Sequence, residues 1–459
     1  MNLRCVIAAA LLGLCAACDA QPAHPSLLVI VLDTVREDHV SAYGYPRRTT
    51  PAVDALAAQA DRYENARSTA PWTLPSHASL FTGRFPHEHG AEARKTVDGQ
   101  FFDAWPLSDE QLTLAEALES EGYSTAAFAA NAGYVTERYG LSQGFQQFTS
   151  KRMRGDEVVD RALDWIGSGG RPFFVFLNLM DAHRKYNVEA VADAAARNLP
   201  APPDLDAGQL LDLLCVSVLE TAEAPSPELV QRVQDAYDLG IANADLALGR
   251  LFDELRARGL FDDTVIVVTA DHGEYFGEHD VVEHSKDVYE PGLCIPLIVK
   301  HARQSAGRVI DAPTSIADVP RIVLGSMPAP LAALAKQFPG SSADRGLLAE
   351  LRYTRQKDMS ASYGKRFDRE RSVLYVGSWK LIRSSDGQHE LYDLASDPKE
   401  LRNVFESRPE VSAKLMARLH ALTLQRRTFE GDPIPPPLTA DELRTLRETG
   451  YAGDVDALK

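Results

Sequence analysis

Three runs of six to eight mostly apolar residues interrupt an otherwise mixed pattern: Ser26–Leu32 (SLLVIVL), 173–180 (FFVFLNLM) and Thr264–Thr269 (TVIVVT). Each is too short for an average helix and rich in β-branched or aromatic side chains, so each predicts a strand buried on both faces. A fourth strand is predicted at 124–130. Between them the apolar spacing shifts to the helical period, over 51–60 opening on Pro51, over 112–121 closing at Gly122, over 156–166, and over 229–258 leading into Thr264. Alternating strands and helices predict an α/β fold, with a large, mostly parallel or mixed central sheet sandwiched by helices. Later the pattern changes to short strands at 372–376, 379–383 and 390–394, then a helix over 409–425. These predict a small C-terminal subdomain of antiparallel sheet plus helix. Residues 187–225, rich in Ala, Asp and Pro, read as an insertion over a cleft mouth, and 326–344 as a linker.

With 459 residues, 45% hydrophobic and 25% charged, the chain can bury one large core beside a smaller appendage. A net charge of −17 without a basic stripe argues against nucleic acid or an anionic membrane surface as partner. It weighs little against a small anionic substrate, because a local metal, Arg or Lys dominates the field inside a cleft. Residues 1–17 combine Arg4 with a short apolar core and small residues before Cys18. They fall short of the roughly 20 residues a membrane span needs, so residues 1–20 read as an export signal. Cys15-Ala16-Ala17-Cys18 resembles an imperfect bacterial lipobox, and Asp19 resembles an inner-membrane retention signal. The expected location is periplasmic, with a lipid on Cys18 as the membrane anchor; ordinary cleavage near Ala20 is the alternative. Cys294, in the apolar run 293–299, reads as a buried thiol.

The chemistry gathers where the strands end. The first run leads into Asp33, the second into Asp181-Ala182-His183, and the third into Ala270-Asp271-His272-Gly273-Glu274, with His284 soon after. Carboxylate and imidazole at the carboxyl ends of parallel strands suit a divalent metal. In Pro71-Trp72-Thr73-Leu74-Pro75, a hydroxyl stands just ahead of a helix opening on proline. Thr73 is there either an N-cap or a nucleophile aimed at an anionic ester. Together these residues point to metal-dependent chemistry on an ester of phosphate or sulfate.

At these residues the chain resembles the sulfatase family, within the alkaline phosphatase superfamily, from Leu27 to about Phe405. Leu32-Asp33-Thr34-Val35-Arg36-Glu37-Asp38 looks like the family's opening metal-binding segment, and PWTLPSHASLFTG like its nucleophile segment. Trp379-Lys380-Leu381-Ile382 and Glu390-Leu391-Tyr392-Asp393-Leu394 resemble its C-terminal subdomain. The resemblance implies a catalytic domain at 26–325, a connection at 326–371, a subdomain at 372–430 and a tail at 431–459. It also implies metal ligation by Asp33, Asp271, His272 and Thr73, with His284 and Asp181 as further ligands, and catalytic roles for Thr73, His183 and Arg36. Arg36, Lys95, Asn131 and Lys286 carry a weaker signal, and so do His77, His87, His89 and His279.

The departures bear on the reaction. Formylglycine sulfatases carry Cys or Ser where this chain has Thr73, and Arg where it has His77. Threonine cannot give the aldehyde, because its methyl-bearing Cβ would oxidise to a ketone. Thr34 replaces a second Asp, and His272 stands where many sulfatases have Asn. This set is similar to the phosphodiester and phosphonate branch of the superfamily, where an unmodified Thr is the nucleophile. The expected cofactor is one or two divalent metals, with zinc or manganese favoured by the mixed Asp/His set and calcium allowed. The expected reaction is hydrolysis of an anionic ester substrate through a covalent Thr73 ester, with the leaving oxygen stabilised by His183 or by a second metal on Asp181 and His284. A phospho-headgroup transferase and a non-catalytic binding lipoprotein are the other classes that fit.

Overall fold

The computed structural model describes residues 24–94, 103–221, 223–352, 356–424 and 438–448. The expected export signal, Cys18, Lys95 and parts of the tail lie outside the described residues.

Strand β1 (Ser26–Leu32) is buried along its whole length at the centre of an eight-stranded sheet. Running from one edge to the other, the order is β8 (Arg308–Ile310), β2 (Asp61–Tyr63), β7 (Leu297–Lys300), β6 (Thr264–Thr269), β1, β5 (Phe173–Leu179), β3 (Ser124–Ala129) and β4 (Gln147–Ser150). All pairings are parallel except those of β7, which opposes both its neighbours, so the sheet is mixed as expected. The register positions the chemistry. Leu32 pairs with Leu179 and Val31 with Thr269, so β1, β5 and β6 end level with one another. Asp33, Asp181 and Asp271 therefore leave the sheet along one carboxyl edge, the usual ligand side of an α/β sheet.

Helices α1 (Pro51–Ala57), α4 (Gly155–Ser168) and the long α6 (Pro227–Ala257) pack together, while α2 (Thr73–Thr82) packs against α3 (Leu114–Glu119) and the 316–325 segment. The 187–225 insertion contains a helix of its own, α5 (Ala207–Cys215), capped by Asp206 and packed on α6.

The small C-terminal sheet has four antiparallel strands rather than three: β9 (Leu347–Leu351), β10 (Arg371–Val376), β11 (Trp379–Ser384) and β12 (Glu390–Asp393), with α7 (Pro409–Thr423) against β10 and β11. β9 lies in the stretch read as a connection, because LLAEL is built from good helix formers and only its pairing with β10 makes it a strand. The expected linker is likewise packed, with Met327, Leu331, Leu334 and Phe338 joining the main core. A further helix in the tail, α8 (Ala440–Glu448), is tied to the main domain by an Arg138–Glu442 ion pair at 3.1 Å. Cys215 and Cys294 are both free thiols. Cys294 is half-buried rather than buried, and it donates its S–H to Glu37 Oε2 at 2.8 Å.

Candidate active site

Asp33 is the first residue beyond β1, and the turn that follows it is unusual. Thr34 adopts φ 64°, a left-handed conformation that a β-branched residue seldom takes. Its N–H thereby donates to Asp271 Oδ1 at 3.1 Å, while its hydroxyl donates to the carbonyl of Ala182 at 2.8 Å. Thr34 thus links the ends of all three central strands without offering an oxygen to the site.

Asp33, Asp271 and His272 are fully buried, and each offers a ligand atom within 4.8 Å of the others. Asp33 Oδ2 accepts from Asn131 Nδ2 at 2.8 Å and Asn178 Nδ2 at 3.0 Å, while Asp33 Oδ1 and Asp271 Oδ2 have no hydrogen-bond partner. Burial, with the Asp271 charge adding to it, pushes Asp33 up to about 7. Burial likewise pushes Asp271 up to about 7. The Nδ1 of His272 lies 2.9 Å from the Gly273 carbonyl, an acceptor that fixes the proton on Nδ1 and leaves the Nε2 lone pair facing the carboxylates. Two orphaned carboxylate oxygens and one oriented imidazole nitrogen, all fully buried, fit a divalent cation.

Thr73 is not the cap of its helix. It is the first residue of α2, Trp72 occupies the cap position, and no side chain caps the end. Its Oγ1 lies 3.5 Å from His272 Nε2 and 3.4 Å from Asn131 Nδ2. One turn on, His77 Nδ1 donates to the Thr73 carbonyl at 2.9 Å, and its ring meets the edges of Phe81 and Phe176. Burial drives this imidazole down to about 3, so the position supplies a neutral ring where formylglycine sulfatases supply a guanidinium.

Beyond Gly273 the chain makes a short hairpin, pairing Tyr275–Phe276 with Val282–Glu283. Glu274 and His284 flank this ladder, which brings Glu274 Oε1 within 3.2 Å of His284 Nδ1. The His284 ring then sits 4.7 Å from His272 and 5.1 Å from His183, between centroids. The structure therefore gathers Asp33, Thr73, Asp271, His272, His183 and His284.

Two expected members stand apart. Asp181 accepts from Asn187 Nδ2 at 2.9 Å and rests against Gly155 at the start of α4, where any β-carbon would come within 2.5 Å of it. Among the described residues, the grouped candidate ligands are Asp33, Asp271 and His272, and neither Asp181 nor His284 belongs to that group. Arg36 is also occupied: four of its five N–H donors go to Asp38 Oδ1 and Oδ2, Glu278 Oε1 and the Glu274 carbonyl. Through the Glu274 carbonyl and Glu278 it braces the loop that follows His272. Among the weaker candidates, Asn131 joins the site. Lys286 is consumed by Glu283 at 3.1 Å and Asp358 at 3.3 Å. His87 pairs with Glu350 at 3.0 Å, His89 bonds Ser79 at 3.0 Å behind α2, and His279 stacks on Tyr289. Asn178 and Glu274 were missed, although a lone Asn inside the apolar run FFVFLNLM was a signal for a buried polar contact.

A family model described as Sulfatase matches residues 25–329. The chain is 25% identical over 338 residues to the ulvan-active sulfatase of Formosa agariphila, covering 66% of this chain and 62% of that protein. It is 23% identical over 467 residues to arylsulfatase K of Bos taurus, covering 88% of this chain and 83% of that one. The solved phosphonate monoester hydrolase of Agrobacterium radiobacter shares the fold, with a TM-score of 0.64 at 19% identity over 87% of this chain and 96% of that one.

Proposed function

The chain belongs to the sulfatase family of hydrolases acting on sulfuric or phosphoric esters, and on that premise we propose that it cleaves phosphate-type esters, phosphodiesters or phosphonates, through a covalent intermediate on unmodified Thr73. The observation that carries this reading is the placement of the Thr73 hydroxyl. It is buried at the first position of a ten-residue helix, free of capping duty, 3.5 Å from His272 Nε2. The residue type supports phosphorus over sulfur, since formylglycine cannot form at a threonine. A sulfatase and a phosphonate monoester hydrolase both stand among the relatives.

Asp33, Asp271 and His272 would hold the cation, zinc or manganese suiting the mixed donors better than calcium. When bound, such an ion neutralises charge on a transferring group and makes a neighbouring hydroxyl more acidic. Asn131, reaching both Asp33 and Thr73, fixes the nucleophile against the metal ligands. The first-turn amides of α2 favour the negative charge that builds as Thr73 Oγ1 attacks in line. His183 and His284, on neighbouring turns, are the groups placed to give a proton to the leaving oxygen. Water then releases the group from Thr73. The leader at 1–20 supports action outside the cytoplasm, with Cys18 as lipid anchor.

The test is a panel of aryl phosphodiester, phosphonate and sulfate, assayed with zinc, manganese and calcium. Thr73→Ala is expected to lose on the order of a thousandfold in kcat on the best substrate, and quenched wild type to carry a group on the peptide containing Thr73 by mass spectrometry. Wild-type turnover by Thr73→Ala on every substrate would sink the reading.

A further inference from the structure

His183 and His284 sit on different turns, yet one buried carboxylate grips both turns. Glu283 ends the hairpin just before His284, with its side chain 2% exposed. It is paired with Arg184, the residue after His183, and lies 3.1 Å from the fully buried Nζ of Lys286, two residues past His284. The backbone here is unusual as well. Glu283 adopts φ 56° and Ser285 φ 66°, so His284 is carried between two left-handed residues, neither of them glycine. Glycine enters this region without steric cost, and side chains resist it. If only the path of the loop mattered, glycine would serve better at 283. What glutamate adds is a charge that ties the two histidine-bearing turns together.

We propose that Glu283 is a positioning residue for the reaction, a clamp on Arg184 and Lys286 that fixes the approach of His183 to His284; this rests on the active-site reading above. Glu274 cannot do this work, because it holds the ring of His284 from within the same hairpin. The clamp is also removable without stranding its partners. Arg184 keeps Asp212 of α5, and Lys286 keeps Asp358 at 3.3 Å. Neither cation becomes a buried charge without a partner when Glu283 is replaced.

The experiment compares Glu283→Gly, Glu283→Gln, Arg184→Met and the Glu283→Gly/Arg184→Met double variant in the full-length, metal-supplemented protein. It measures Tm, KM and kcat on the best aryl ester. Glu283→Gly is expected to keep or raise Tm, since it relieves the left-handed strain, while kcat falls on the order of tenfold to a hundredfold with a smaller change in KM. Arg184→Met is expected to lower kcat similarly, and the double variant to be no slower than the slower single, the mark of one shared interaction. Wild-type kcat in Glu283→Gly, or losses that multiply in the double variant, would overturn the clamp. Should Glu283→Gly fail to fold, Glu283→Gln decides, because it keeps the size and removes the charge: reduced kcat supports the clamp and wild-type kcat overturns it. Thr73→Ala, run alongside, separates the two ideas: if it stays active the nucleophile assignment fails, whatever the clamp variants show.

Discussion

Asp33→Asn should have opposite effects on the metal-free and the metal-loaded protein. Asp33 is wholly buried beside Asp271, and its carboxyl is pushed from 3.8 to about 7, first by burial and then by its neighbour. Because the folded value lies above the unfolded one, the folded state loses stability as pH rises from 3.8 toward 7, after which the loss is constant. That interval corresponds to about 4 kcal/mol. Asparagine carries no charge to bury, and its carbonyl oxygen still accepts from Asn131 and Asn178, which both donate to Asp33 Oδ2. Unfolding entropy for 459 residues is about 1 kcal/mol per kelvin, so chelator-treated Asp33→Asn should melt about 4 °C above chelator-treated wild type at pH 8, and at the same temperature near pH 4. Metal reverses the order. At a ten-thousandfold excess over Kd, binding stabilises wild type by about 5.5 kcal/mol, about 5 to 6 °C, which exceeds the variant's advantage of about 4 °C, and the variant should gain none of it. Differential scanning fluorimetry across pH, with and without zinc or manganese, measures both effects. If Asp33→Asn melts lower than wild type without metal at pH 8, or keeps the metal-dependent rise, the carboxylate is a structural anchor and the metal assignment fails.

Asn131→Ala removes the donor shared by Asp33 and Thr73; kcat/KM should fall about tenfold to a hundredfold, with metal content measured in parallel. Glu350 braces the His87 turn after α2, accepting from the His87 N–H at 2.7 Å and lying 3.0 Å from its Nδ1. Against the upward push of burial, the charges of His87 and Arg352 hold Glu350 down to about 2, and against the downward push of burial, Glu350 raises His87. The Glu350 contribution is present above 4.5 and lost as pH falls toward 2, and that of His87 is present below 6.5 and lost as pH rises through its raised value, so the pair is worth most between 4.5 and 6.5. Glu350→Gln should cost about 3 kcal/mol there and flatten the Tm against pH profile, and an unchanged profile would refute the pairing.

The grouping of Asp33, Asp271 and His272 was legible because level strands in a parallel sheet deliver whatever follows them to one edge, and in the register Asp33 and Asp271 fall opposite each other just past two adjacent strands. Asp181 follows the third, but it comes one residue later in its turn, and the side chain points to Asn187 and the start of α4 instead. Spacing along a chain does not carry that rotation. For Arg36 the decisive signal was local, since Asp38 lies two residues on and takes the guanidinium in a bidentate pair. The hairpin that joins Glu274 to His284 has only two residues per strand, too short for alternation to register as a strand.

Three non-glycine residues beside the site adopt left-handed backbone. Thr34 at φ 64°, Glu283 at φ 56° and Ser285 at φ 66° adjoin Asp33 and His284, each at a cost of about 1–3 kcal/mol. Such conformations persist only where surrounding contacts over-determine them. Thr34 is held by Asp271 and Ala182, and Glu283 by Arg184 and Lys286. With threonine at 34, the candidate metal-binding group holds two carboxylates, Asp33 and Asp271, with His272. Two carboxylates balance one divalent cation, so the loaded site would carry no net negative charge to repel an anionic ester. If these three residues hold the cation, Thr73, 3.5 Å from His272 Nε2, is the hydroxyl beside them, and a set of three protein ligands would suit a catalytic rather than a structural metal site. On the proposed reading, the substitutions at 34 and 73 act together: a nucleophile needing no modification beside a cation site whose carboxylates balance its charge.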